Sequence, residues 1–261
     1  MDKFKNFYDD NKPLVIGAGV AAAALAAGIY FMRSSTTKVQ QRSQPLFFRW
    51  MYDKGASSKN DKVEISLYKT EAMVRSQLIK DVKYNLFLSF GLKDGFKGQI
   101  TTNFKLNSEE FKDGDLFLDF QGKAIADFKI NGKYVDCRYE DQRVYFPKDH
   151  LKVGKNEVSL KFKNTYVTNS AGLHWFQDPT DDRVYLFSHL EPFFCHRIFP
   201  CFDQPDIKAP LSLAVHCPKR EWVAIANGKF KERFDYDTKN EKVSGFLTAS
   251  TINLHYLLIL F

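Results

Sequence analysis

The chain has 261 residues, a net charge of +7 from 38 Lys and Arg against 31 Asp and Glu, and 44% hydrophobic residues. That is long enough for one sizeable domain with its own core. Basic residues alternate with acidic ones along the chain, which excludes the clustered cationic stripe that a nucleic-acid partner requires.

After a short polar tail, residues 1–12, a charge-free stretch runs from Pro13 to Met32. As a helix rising about 1.5 Å per residue it would span roughly 30 Å, the hydrocarbon thickness of a bilayer. The stretch predicts a single transmembrane helix over 13–32, with a cleaved signal peptide as the competing reading. Small residues at Gly17 and Ala21, and again at Ala24 and Gly28, offer a helix-packing face, or else fill an inert anchor. Residues 33–62 read as a polar linker carrying one apolar knot, Pro45 to Tyr52. The remainder, 63–261, reads as the globular domain.

Lys69 to Lys80 suits a short helix, after which the period changes to two. Val82, Tyr84, Leu86, Leu88 and Phe90 alternate with more polar residues, broken only by Phe87. Val158, Leu160 and Phe162 do the same. Both are half-buried strands. Asn131-Gly132 is a tight-turn signal, and Gly154-Lys155-Asn156 introduces another strand. The predicted fold class is all-β, an antiparallel sandwich or saddle preceded by the transmembrane helix.

The cysteines Cys137, Cys195, Cys201 and Cys217 show no paired short spacing of the zinc-ribbon kind, so buried free thiols are the plain expectation. No Asn is followed two places later by Ser or Thr, which disfavours a glycosylated luminal domain.

The run Tyr185 to Pro210, YLFSHLEPFFCHRIFPCFDQPDIKAP, closely resembles the signature segment of the aminopeptidase N family of zinc peptidases. Leu67 to Phe90 and Gly172 to Pro179 upstream, with Cys217 to Trp222 and Ala226 to Gly228 downstream, extend the likeness from about Val63 onward. The resemblance implies the family's amino-terminal β-domain, an all-β saddle that closes one wall of the active site. It also implies that the chemistry lies in a following domain, with a Gly-x-Met-Glu-Asn strand and a His-Glu-x-x-His helix that holds zinc and a general base. No two of the six histidines here stand four apart, and no Gly-x-Met-Glu-Asn run occurs. The expectation is therefore a chain that is not an enzyme and binds neither zinc nor another cofactor.

By the same resemblance, Glu191 matches the position that anchors a substrate's free amino terminus, and His189 stands where the pattern has Gln. Phe194, Cys195 and His196 replace residues that are commonly Asp, Ala and Arg, so the turn beside the carboxylate is rewritten. The plain alternative for Glu191 is a solvent-facing or locally paired acid. Asp203 and Pro205 are read as conformational turn residues, and Cys201 as a core thiol. Two functional readings follow. One is a non-catalytic scaffold subunit of a membrane complex, single-pass, placed in the mitochondrial inner membrane as a respiratory-chain accessory subunit, with the apolar end Leu254 to Phe261 covered either by the domain's own sheet or by another subunit. The other is the substrate-binding part of a split or truncated zinc aminopeptidase.

Overall fold

The computed structural model describes residues 66–252, apart from 92, 94, 113, 170, 220, 227, 228, 239 and 240, and gives backbone alone for residues 229–252. Helix α1, Lys69–Leu78, opens the described chain. Its entry is fixed by Glu71, whose carboxylate accepts the Tyr68 backbone N–H at 2.9 Å. That bond satisfies one of the donors every helix start leaves without an intrahelical partner.

Among the described residues thirteen strands follow. The main sheet holds β1 (Ile79–Phe90), β2 (Phe96–Leu106), β4 (Ala124–Ile130), β5 (Lys133–Tyr134), β8 (Gly154–Asn164), β11 (Ala209–Cys217), β12 (Lys229–Thr238) and β13 (Glu241–Ile252). Their spatial order is β12-β13-β11-β1-β2-β8-β4-β5. A three-stranded sheet is formed by β3 (Phe117–Asp119), β7 (Arg143–Tyr145) and β6 (Arg138–Glu140), and a hairpin by β9 (Gly172–Gln177) and β10 (Val184–His189). Between the named strands all pairings are antiparallel except β1 with β11, which run parallel from Tyr84↔Leu211 to Ser89↔His216.

The alternation expected in β1 and β8 is present. Val82, Tyr84, Leu86, Leu88 and Phe90 are buried, as are Val158, Leu160 and Phe162. Phe87, the break in the pattern, is also buried, because both faces of the sheet are covered at its centre. Asn131 and Gly132 join β4 to β5 with φ of 51° and 80°, the left-handed pair that a two-residue hairpin turn needs. Between the main and three-stranded sheets, Phe104 stacks on Phe146 at 6.0 Å, and Phe202 meets both rings edge-on at 5.6 and 6.2 Å. The signature segment is thus threaded through the core.

The transmembrane part of the predicted fold class is corrected. Among the described residues no helix is long and apolar enough to cross a membrane. Helix α1 has ten residues, about 15 Å, half the roughly 30 Å a bilayer core requires. Among the described residues the architecture is a mostly β domain with one short α-helix, and the single-pass localisation, with its mitochondrial inner-membrane placement, is withdrawn on the same finding. The segment 13–32 with Gly17, Ala21, Ala24 and Gly28, the knot Pro45 to Tyr52, and the end Leu254 to Phe261 lie outside the described residues.

Candidate functional site

The two residues singled out by resemblance lie at one end of the β9–β10 hairpin. His189 is the last residue of β10, paired with Gly172, and Glu191 begins the turn that follows. Both are exposed. The His189 ring lies 6.4 Å from that of Phe194, and the guanidinium of Arg197 sits 4.7 Å above the other ring of this pair, Phe194. Among the described residues nothing forms an ion pair or hydrogen bond with Glu191, whose carboxylate faces solvent.

Directly behind this turn the chain dives inward. A short 3-10 turn, Cys195–Arg197, places Cys195 and His196 in the core. The backbone N–H of His196 donates to Asp203 Oδ2 at 2.9 Å, and its Nδ1 lies 2.7 Å from the same oxygen. Asp203 is completely buried, and its own N–H donates to Asp119 Oδ2 at 3.1 Å. Asp119 Oδ2 also accepts from Arg75 Nη1 at 2.7 Å. Arg75 Nε donates to Gln204 Oε1 at 2.9 Å, while Gln204 Nε2 donates to the Ala72 carbonyl at 3.0 Å and to Ser76 Oγ at 2.6 Å. One connected polar network thus ties α1, β3 and the signature run together. Burial pushes the Asp119 carboxyl up and outweighs the opposite pull of Arg75.

This network is what the sequence reading missed. Asp203 was expected to shape a turn, yet it and Gln204 are buried hubs. The spacing carried no signal for it, because the partners Arg75 and Asp119 lie far upstream. Cys201 is a core thiol as expected, and so are Cys195 and Cys217, whereas Cys137 is exposed; none of the four is in a disulfide. Burial pushes the Cys195 and Cys201 thiols up, which makes them poor nucleophiles.

A His-Glu-x-x-His zinc centre does not fit the residues present. The group of potential metal-binding side chains found among the described residues is Cys195, Cys201 and Asp203, and it holds no histidine. His189, His196 and His216 lie on separate elements, so no pair of imidazoles shares a helix face as that chemistry requires.

The described residues form a mostly β domain whose exposed acid, Glu191, stands just past the open end of the β9–β10 hairpin, where the signature run leaves for the core. Residues 80–252 match the family described as the Peptidase M1 N-terminal domain, and the chain belongs to that family. It is 27% identical over 197 residues to Aminopeptidase N of Streptomyces lividans, covering 73% of this chain and 22% of that protein. It is 30% identical over 176 residues to Leucine aminopeptidase 2-2 of Meyerozyma guilliermondii, covering 63% of this chain and 26% of that protein. The fold is shared with the crystal structure of an M1 zinc metallopeptidase from Deinococcus radiodurans, at TM-score 0.55 and 18% identity, over 70% of this chain and 42% of that one. The chain therefore spans about a quarter of the curated relatives it matches.

Proposed function

We propose that the chain serves as the substrate-facing wall of an M1-type aminopeptidase, with Glu191 receiving the free amino group of a peptide, and that it carries out no hydrolysis by itself. Family membership and the position of Glu191 support this reading. The observation that carries it is the exposure of a carboxylate with no partner among the described residues, just past the open end of the β9–β10 hairpin and within the run that resembles the family's signature. An ammonium docking in a cleft needs an acceptor of negative character, and a charge-assisted bond to a carboxylate is the strong form of that contact. Zinc chemistry would come from polypeptide other than these 261 residues, because neither the imidazole pair nor the general base is among them.

A second reading, a non-catalytic accessory module, draws support from the rewritten turn. His196 is folded inward onto Asp203 rather than directed at Glu191, and Cys195 is buried beside it.

One titration separates the two. Tripeptides with free and with acetylated amino termini are added to the full chain, and binding is followed by calorimetry. The substrate wall requires that acetylation, and equally Glu191→Gln, weaken binding at least tenfold, while Tm stays put because the replaced group is exposed. Equal binding of both peptides, or none by either, would remove the substrate reading and leave the accessory one.

A further inference from the structure

Cys195, Cys201 and Asp203 match no metal motif by spacing, yet the fold collects them. Cys195 opens the 3-10 turn, and Cys201 is fixed by a pair of backbone bonds with Asp119, at 2.8 and 3.1 Å. Asp203 follows two residues later. All three are 0% exposed, and one ligand atom from each lies within 4.8 Å of the other two. In a tetrahedral site with sulfur at about 2.3 Å and oxygen at about 2.0 Å, neighbouring ligand atoms stand roughly 3.5 Å apart. The observed ligand atoms therefore stand at most about 1.3 Å farther apart than a bound ion would set them.

We propose that Cys195, Cys201 and Asp203 form a structural binding site for a thiophilic d10 divalent ion, zinc or cadmium, separate from any peptidase chemistry. Two thiolates select such an ion over magnesium or calcium. The carboxylate has its supporting partners in place. Asp203 Oδ2 is held by the N–H and by Nδ1 of His196, which leaves the geometry of a ligand oriented from behind. Binding exchanges protons for metal: the ion displaces one proton from each thiol, forms two metal–sulfur bonds and one metal–oxygen bond, and releases two protons to solvent. The bound set then carries a net charge of about minus one, which Arg75 faces through the Asp119 carboxylate shared by Asp203 N–H. A disulfide between the two cysteines would use the same sulfurs but would give Asp203 no part.

The full chain, reduced and desalted without oxygen, is titrated with cadmium chloride alone. The expected result is a thiolate-to-cadmium charge-transfer absorption that saturates at one ion per chain with release of about two protons. Cys195→Ser and Cys201→Ser each abolish the band, Asp203→Asn weakens binding at least tenfold, and Cys137→Ser leaves it unchanged. Because these positions are in the core, a second measurement uses the unaltered chain: in intermediate urea, cadmium should slow alkylation of Cys195 and Cys201 but not of Cys137. Absence of the band, a band that follows Cys137, or a chain isolated with Cys195 and Cys201 cross-linked to each other would overturn the site.

Discussion

Arg75 and Asp119 are 44 residues apart in sequence and meet at 2.7 Å with side chains 0% and 7% exposed. The guanidinium lies 5.1 Å from the centre of the Phe117 ring and 5.8 Å from that of Phe202, so it sits against aromatic carbon while Nε and Nη1 are hydrogen-bonded and Nη2 is buried without a hydrogen bond. Helix α1 is thereby fastened to the three-stranded sheet and the signature run by charge rather than by an apolar stripe. Its exposed Met73 and Val74 show how little apolar surface it buries.

Arg75→Met removes the cation and leaves Asp119 and Gln204 buried without it. Breaking one side of a buried pair typically destabilises by about 3–5 kcal/mol, and a loss of that size is expected from the shift in urea midpoint. Adding Asp119→Asn, which keeps an oxygen for the Asp203 N–H but removes the stranded charge, should restore a good part of the loss. If the double variant is less stable than Arg75→Met alone, the ion pair is not what holds the helix.

Local features were legible in the sequence where one rule decided them. The burial of Leu86, Leu88, Val158 and Leu160 follows from alternation alone, and the Asn131-Gly132 turn from the need for left-handed backbone. Helix α1 ends at Leu78 rather than Lys80 because Ile79 and Lys80 already pair with Leu106 and Lys105 in the sheet. What could not be read was non-local. The β1 and β11 pairing joins segments more than a hundred residues apart, and nothing in either apolar strand marks its neighbour as parallel. Asp203 and Gln204 resemble turn residues until Arg75 is brought beside them. His189 and Glu191, by contrast, fall together at the open end of the β9–β10 hairpin because they are two residues apart across a strand end.

Gly98 on β2 lies opposite Phe162 on β8, and a Cβ added there would stand 2.2 Å from the tip of that ring. The ring has no room to swing away, being buried and edge-on to Phe120 at 5.3 Å. Gly98→Ala should therefore destabilise by about 1–3 kcal/mol through overpacking, despite the better strand propensity of alanine. Thermal melts of Gly98→Ala and of Gly98→Ala with Phe162→Leu supply the check: the smaller side chain should relieve part of the deficit. An unchanged Tm in the single variant would mean the ring is not confined.

His216 on β11 is buried, its Nδ1 lies 2.9 Å from Ser89 Oγ, and burial pulls its pKa down from 6.5 to about 4. Between those two values the unfolded chain binds a proton that the folded chain refuses, so stability rises with pH across that window. The contribution is fully present above about pH 6.5, declines as the pH falls toward 4, and levels off below it. A depression of this size corresponds to about 3 kcal/mol. His216→Gln keeps a hydrogen-bonding partner for Ser89 and has nothing to titrate. The Glu71 carboxyl also responds to acid: burial raises it, but Arg143 and the Tyr68 N–H more than offset that, so its stabilisation fades as the pH drops. That response is common to both proteins and cancels in their difference. Urea denaturation of the wild type and His216→Gln between pH 4 and 7.5 should show the wild type losing stability faster toward acid. Parallel curves across that range would show that the folded domain accepts the proton on His216 without penalty.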